Sequence, residues 1–292
     1  MADTPLFDQQ LPVLSHRQVQ PLLAARHMAD EAIGASVDLG LTTTILHRVA
    51  EGFRLPGGET LRWERMAEIA DNETACFALL PDGAIERIGQ FSEALSRHYS
   101  LFPTTSAPTL LIGGFSMHRI KDTDPMRDTL AKVRAAAPLR GRVLDTSTGL
   151  GYTAIQAAKS PQVEEVVTIE IDPTTLAIAR YNPWSRALFA DPKIQQLIGN
   201  AYDVLPELPN ESFTRIIHDP PVFSLAGELY SGIFYRELYR VLRRGGRLFH
   251  YIGSLDSRSG AGVARGALRR LKEAGFTRID RRQEAFGVVA YK

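Results

Sequence analysis

The chain has 292 residues and a formal net charge of +1, and 44% of its residues are hydrophobic and 23% charged. This length is enough for one large domain or two modest ones with a sizeable buried core. A charge so close to zero gives no overall reason to expect nucleic acid or an anionic membrane as a partner, although it does not exclude a local basic patch.

Cysteine usage and hydropathy indicate a protein of a reducing compartment. Cys76 is the single cysteine, which excludes an internal disulfide and a cysteine metal cluster. The first ten residues, MADTPLFDQQ, lack the basic-then-apolar pattern of a signal sequence. No apolar run approaches the ~20 residues that span a bilayer. We therefore expect a cytoplasmic protein with no membrane partner, and we identify no metal ligands.

Residues 1–120 predict a small α+β domain that serves substrate recognition or dimer contacts. Its N-terminal part, 11–34, predicts one leading helix, and the β-branched stretch 35–49 that follows indicates extended structure. A Pro-Gly-Gly turn then precedes a helix at 62–70, and two strands flank the turn Pro81-Asp82-Gly83.

Residues 121–292 predict a second, larger domain in which helices and strands alternate. An amphipathic helix at 121–136 leads into it. Further helices are predicted at 152–159, 173–184, 227–242 and 262–276, and strands at 141–147, 163–172, 193–200, 213–221, 246–253, 277–283 and 285–292. Such alternation is typical of a doubly wound, mostly parallel α/β sheet of the Rossmann-like kind, here closed by an antiparallel hairpin.

The stretch VLDTSTGLGYTA, residues 143–154, is compatible with two cofactors. Gly149-x-Gly151-x-x-Ala154 fits a dinucleotide-binding turn, but Asp145 and three hydroxyl residues stand between the strand and the first glycine. A carboxylate sits poorly beside a pyrophosphate, whereas it suits the sulfonium and ammonium of S-adenosylmethionine (SAM). Loop N–H groups and the hydroxyls are then expected to hold the methionyl carboxylate.

Two further polar residues follow the next strands. Glu170 lies nineteen positions after Gly151, where an acidic side chain accepts both ribose hydroxyls of either cofactor. Asn200 follows a short apolar strand and either bonds an adenine edge or simply forms a turn after Gly199.

The segment RIIHDPPVFS, residues 215–224, favours SAM. Two consecutive prolines end the strand, and Pro220 bars Asp219 from the α region, so the carboxylate is held at the edge of the sheet where ligands bind in open α/β folds. A transferase needs such a rigid turn to align an amine with a sulfonium methyl. Phe223 either stacks on a planar substrate or packs in the core, and His218 either takes a proton or packs beneath the sheet.

From Lys121 onward the sequence resembles class I SAM-dependent methyltransferases with a seven-stranded Rossmann-like sheet. The matching residues are Asp145 to Gly151, Glu170, Gly199-Asn200-Ala201, Asp219-Pro220-Pro221 and Arg244-Gly245-Gly246. Ser147 stands where the family usually has glycine, and Asn200 where it often has aspartate. The resemblance implies SAM as cofactor and methyl transfer to a nucleophile, most simply a nitrogen. The implied cofactor-binding residues are Asp145, Thr146, Ser147, Gly149, Gly151, Tyr152, Thr153, Glu170, Asn200, Ala201 and Asp219. The implied catalytic residues are Asp219, Pro220, Pro221 and Phe223.

Two alternatives remain open at this point. The sequence is also similar to spermidine synthases, which transfer an aminopropyl group from decarboxylated SAM, and a catalytically silent partner protein of the same fold is the other. His118 and Arg119 precede the large domain and are candidate substrate contacts. The sequence does not choose among a small molecule, RNA and protein as acceptor, and it leaves a homodimer open.

Overall fold

The computed structural model describes residues 11–253 and 258–292. The first ten residues, on which the expectation of a missing signal sequence rests, lie outside this part. The chain divides into two compact units, one reaching to Pro125 and including Thr174–Arg186, the other formed by Met126–Pro173 and Ala187–Lys292.

Up to Pro125, the first unit is built from short strands and two helices. In chain order these are β1 (Val13–Leu14), α1 (His16–Ala24), β2 (Ala32–Ala35), β3 (Thr44–Val49), β4 (Gly52–Arg54), β5 (Thr60–Arg62), α2 (Trp63–Ala70), β6 (Phe77–Leu79), β7 (Ile85–Arg87), β8 (Gly89–Ser92), β9 (Arg97–Phe102), β10 (Thr109–Ile112) and β11 (Phe115–Ser116). They form three small sheets, ordered β1-β6-β7, β2-β3-β4-β5 and β11-β10-β9-β8. The predicted α+β character is confirmed.

The single leading helix predicted over 11–34 is wrong. Ser15 caps α1 and forms a reciprocal capping box with Gln18, so the helix begins at His16 and ends at Ala24. The chain then turns, and β2 pairs antiparallel with β3, while Ile33 packs against the core of this unit. Pairing of this strand with residues 9 to 15 positions away outweighs its local helical pattern.

The remaining elements follow in chain order: α3 (Pro125–Ala136), β12 (Gly141–Asp145), α4 (Tyr152–Ala158), β13 (Val163–Glu170), α5 (Pro173–Tyr181), α6 (Arg186–Ala190), β14 (Ile194–Ile198), α7 (Ala201–Val204), β15 (Phe213–His218), α8 (Gly232–Val241), β16 (Leu242–Tyr251), α9 (Arg258–Glu273), β17 (Arg278–Arg282) and β18 (Gly287–Tyr291). A 3-10 turn at Gly227–Tyr230 precedes α8.

The second unit contains the predicted large sheet. Its seven strands lie in the order β14-β13-β12-β15-β16-β18-β17. Strands β12 to β16 run parallel, and β18 pairs antiparallel with both β16 and β17. The Rossmann-like prediction with a closing hairpin is confirmed. The core joins the sheet to α8 and α9 through residues such as Leu144, Ile216, Leu238 and Leu271, each of which is fully buried.

The strand order places a switch point at β12. This strand lies between β13 and β15, and the chain leaves it toward β13 on one side and returns through β15 on the other. In open parallel sheets, ligands bind outside the carboxyl ends of the strands at such a point. The loops after Asp145, Glu170 and His218 all leave from this edge.

Candidate SAM and acceptor site

The three predicted motifs meet at one edge of the sheet. Asp145, the last residue of β12, lies in register with Thr168 on β13 and Ile217 on β15. The glycine loop, the acidic end of β13 and the double-proline turn therefore start side by side. The double-proline turn consequently lies beside the glycine loop.

Two glycines shape the first loop for different reasons. Gly151 has φ +77° at the start of α4, and a Cβ there meets the Leu188 side chain at 2.7 Å. Gly149 has φ +53°, and a Cβ there meets no atom within 4 Å. Packing against the protein thus requires Gly151, whereas Gly149 borders space in which a ligand fits.

Asp145 is a buried carboxylate, and one of its two oxygens has no hydrogen-bond partner among the described residues. The Thr168 hydroxyl donates to its Oδ2 at 2.9 Å, but its Oδ1 is buried and has no hydrogen-bond partner among the described residues. Burial and the negative charge of Asp219 together raise the pKa of Asp145 to about 7, against the opposing effect of the Thr168 hydrogen bond. Because an unsatisfied buried oxygen is costly, this position fits a ligand that brings positive charge, as SAM does.

Glu170 ties the end of β13 to the glycine loop. Its carboxylate accepts the Gly149 N–H at 2.9 Å and the Asp172 N–H at 3.1 Å. Burial raises the pKa of Glu170 to about 7, while these backbone donors oppose that shift. The side chain is fixed beside the loop, as the predicted ribose contact requires.

The threonine hydroxyls of the loop have partners inside the protein. The Thr146 hydroxyl bonds the Nδ1 of His218 at 2.7 Å, and the Thr148 hydroxyl bonds that of Thr168 at 2.7 Å. Both threonine hydroxyls thus have partners inside the protein, and the predicted contact of the loop hydroxyls with a methionyl carboxylate stays a prediction. Of the other predicted loop contacts, Tyr152 and Thr153 are buried at the start of α4 and Ser147 is half-buried.

Asn200 and its neighbours form the third part of the edge. The Asn200 side-chain oxygen accepts the Tyr202 N–H at 3.0 Å and caps α7, so the turn-forming interpretation applies to this oxygen. Ala201 is buried.

Two large apolar side chains at this edge, which no sequence pattern indicated, are exposed to solvent. Ile171 lies just after β13 and is 45% exposed, and Ile198 lies at the end of β14 and is 54% exposed. They supply an apolar surface of the kind an adenine ring covers.

Aromatic side chains pack at the double-proline turn. The Tyr230 hydroxyl donates to the Pro221 carbonyl at 3.0 Å. Pro220 is buried, and Phe223 is 48% exposed with its ring packed edge-to-face on Tyr230 at 5.5 Å. Phe223 is therefore a surface residue at the turn and not a core residue.

His218 is a structural residue beneath this turn. Its Nε2–H donates to the Leu229 carbonyl at 3.0 Å, which leaves Nδ1 to accept from Thr146. Complete burial lowers the pKa of His218 to about 3. The interpretation as a proton acceptor is wrong, and the packing interpretation holds.

The sequence analysis also missed the charged partner of Asp219. The Nζ of Lys132, on α3, lies 2.6 Å from Asp219 Oδ2 and 2.9 Å from Asp128 Oδ2. Lys132 and Asp128 are buried, and the Asp219 side chain is 17% exposed. The spacing of Asp128 and Lys132, four residues apart on a helix, is typical of an ion pair on the protein surface. Only the tertiary structure shows that this pair is buried.

His118 and Arg119 follow β11 in the first unit, where both are half-buried. The His118 Nδ1 and the Thr109 hydroxyl are 2.9 Å apart. Their role toward a substrate stays a prediction.

Within the described part of the chain, no cluster of His, Cys, Asp or Glu is arranged to hold a metal ion. No helix among those residues is long and apolar enough to cross a membrane.

Comparison with known proteins places this geometry in a family. Residues 112–254 match the family described as Methyltransferase small domain. The chain is 40% identical over 270 residues to the uncharacterized protein MJ1233 of Methanocaldococcus jannaschii, covering 90% of each.

Two further comparisons are a sequence relative and a solved structure. Polyamine aminopropyltransferase 2 of Streptomyces coelicolor is 32% identical over 123 residues, which are 40% of this chain and 22% of that enzyme. The structure of spermidine synthase from Thermotoga maritima superposes with a TM-score of 0.55 at 18% identity, over 71% of this chain and 74% of that one. At this identity the likeness concerns the fold. The chain belongs to the family of MJ1233, it carries a match to the Methyltransferase small domain over residues 112–254, and its fold is related to that of spermidine synthase.

Proposed function

We propose that this methyltransferase transfers the methyl group of SAM to a nitrogen positioned by the Asp219-Pro220-Pro221 turn. The observation that carries the proposal is the adjacency of β12 and β15, which brings Asp219 close enough to Asp145 for its charge to raise the Asp145 pKa. When bound, SAM supplies an electrophilic methyl on a sulfonium, which leaves as a neutral thioether.

The residues of the chain divide the remaining work. Glu170 holds the ribose, and the ionised Asp145 balances the cationic end of the cofactor. Asp219 and the carbonyls of the turn accept N–H bonds from the acceptor and direct its lone pair, since displacement at carbon needs an in-line geometry more than it needs acid catalysis. Tyr230 fixes the turn through the Pro221 carbonyl. The exposed ring of Phe223 offers a stacking face at the same turn.

Aminopropyl transfer is the second candidate, favoured by the similarity to a polyamine aminopropyltransferase over 40% of the chain. A polyamine site needs several carboxylates open to the amine, but the Asp219 carboxylate already pairs with Lys132. This pairing supports methyl transfer over aminopropyl transfer.

The setting of the reaction is also part of the proposal. We expect a cytoplasmic enzyme, because the single cysteine, Cys76, is a free thiol, as is usual in a reducing compartment. The acceptor is a small molecule, an RNA or a protein. Residues 1–120 are proposed to recognise it or to form dimer contacts.

The test is a transfer of label from two donors. The purified protein is incubated with a cell extract and with SAM labelled in the methyl group, or with decarboxylated SAM labelled in the aminopropyl group. Nuclease, protease and filtration then divide the products by class. The proposal predicts acid-stable methyl label in one class, lost in an Asp219→Asn variant. Incorporation from the aminopropyl donor alone would replace it with the second candidate.

A further inference from the structure

Helix α3 buries charge on the face that a helix normally fills with apolar side chains. Asp128, Thr129, Lys132 and Ala136 repeat at helical spacing, and each is at most 2% exposed. A buried ammonium is costly unless carboxylates and other acceptors replace its water. The environment of Lys132 therefore has to supply those partners.

The surroundings of Lys132 are those of a binding site for an alkylammonium ion. Its Nζ contacts Asp219 Oδ2 at 2.6 Å and Asp128 Oδ2 at 2.9 Å, and it lies 4.6 Å from the centre of the Tyr251 ring. Carboxylates together with an aromatic face are what proteins use to recognise free alkylammonium ligands. Here the ligand is a side chain of the protein, a primary ammonium on a four-carbon stem.

We propose that Lys132 is a specificity-determining residue that occupies the ammonium position at Asp219 and so excludes aliphatic amines as acceptors. This inference rests on the proposed function, because it concerns the nitrogen that the turn receives. An aliphatic amine near neutral pH carries a proton and needs a carboxylate of its own. The acceptor class is therefore an uncharged nitrogen, and a planar one fits the exposed ring of Phe223.

The charges around Asp219 agree with this assignment. Lys132 contacts Asp219 from α3, and the charge of Asp219 also acts on Asp145 at the end of β12 and on Tyr230 after β15. Asp128 and Tyr251 contact Lys132 itself. The two aspartates raise the pKa of Lys132 and outweigh the opposing effect of burial. Lys132 therefore carries a positive charge at neutral pH.

The test measures whether a free amine binds in the space left when the Lys132 side chain is removed. Lys132→Ala removes the stem and ammonium, and n-butylammonium chloride is the probe, with n-butanol and sodium chloride as controls. Lys132→Ala is expected to bind the amine saturably, and at ten times its dissociation constant the folding equilibrium constant rises about elevenfold. The wild type, Lys132→Arg and Lys132→Met are expected not to respond, because their side chains fill the site. Adding Asp219→Asn to Lys132→Ala is expected to abolish the response.

Two outcomes would overturn the inference. One is a wild-type protein that binds n-butylammonium as tightly as Lys132→Ala does, since Lys132 would then block nothing. The other is a Lys132→Ala protein that gains no stability from the amine. If that variant needs the amine to fold, refolding yield with n-butylammonium against n-butanol gives the same comparison. SAM calorimetry on the wild type is read separately, so failure of the cofactor reaction is distinguished from failure of the amine site.

Discussion

Replacing Gly149 with alanine separates the two demands on the glycine loop. The native φ of +53° is unfavourable for alanine, which costs about 1–2 kcal/mol. No atom lies within 4 Å of the added methyl, so the protein itself adds no packing penalty. A SAM molecule against the loop does meet the methyl, and overpacking of that kind costs about 1–3 kcal/mol more, or about a 5- to 150-fold loss of affinity.

Gly245 provides the matched control. It has φ +71° and also leaves its Cβ position open, but it lies in β16 near the amino end of the sheet. Both variants are expected to lose the same stability in chemical unfolding, and calorimetry is expected to show weaker SAM binding only for Gly149→Ala. Equal SAM affinity for the two variants would refute the argument that the loop faces the cofactor.

Four further predictions concern the acids and the turn. Because the pKa of Asp145 is raised to about 7, SAM affinity is expected to rise about tenfold from pH 6 to pH 8 as the carboxylate ionises, and calorimetry on Asp145→Asn should show this dependence reduced. In the absence of cofactor, the raised pKa of Asp145 makes the folded state of the wild type less stable as pH rises. Asp145 keeps its proton in the folded state from its ordinary value of 3.8 up to about 7, so Asp145→Asn should gain stability relative to wild type as pH rises through that window in urea unfolding. Glu170→Gln is expected to weaken SAM and its thioether product equally, by about 10- to 100-fold in calorimetry, because both carry the ribose; a selective loss for one would contradict a ribose contact. Tyr230→Phe removes the bond to the Pro221 carbonyl and is expected to slow methyl transfer while leaving the SAM dissociation constant unchanged, at a stability cost of about 1 kcal/mol.

Local sequence signals were sufficient for the large sheet and for most of its edge. Apolar strand runs ended by Asp145, Glu170 and Asp219-Pro220 place their polar residues correctly, because parallel strands bring their carboxyl ends together. The same signals do not indicate the partners of the loop hydroxyls inside the protein. Nothing in the chain around Thr146 indicates that its partner is His218, 72 residues later.

Long-range pairing explains the other differences. Lys132 and Asp219 are 87 positions apart, and the spacing of Asp128 and Lys132 on α3 is equally typical of a solvent-exposed pair. In the first unit, β2 looks helical by local pattern and becomes a strand because β3 pairs with it. Sequence periodicity carries no information about which distant partner is available.

Titration calorimetry with SAM, its thioether product and NAD tests the central claim most directly. A methyl-donor site at the switch point predicts one binding site per chain for SAM and for the thioether, and no heat from NAD. Binding of NAD, or the absence of SAM binding by a folded protein, would contradict the account.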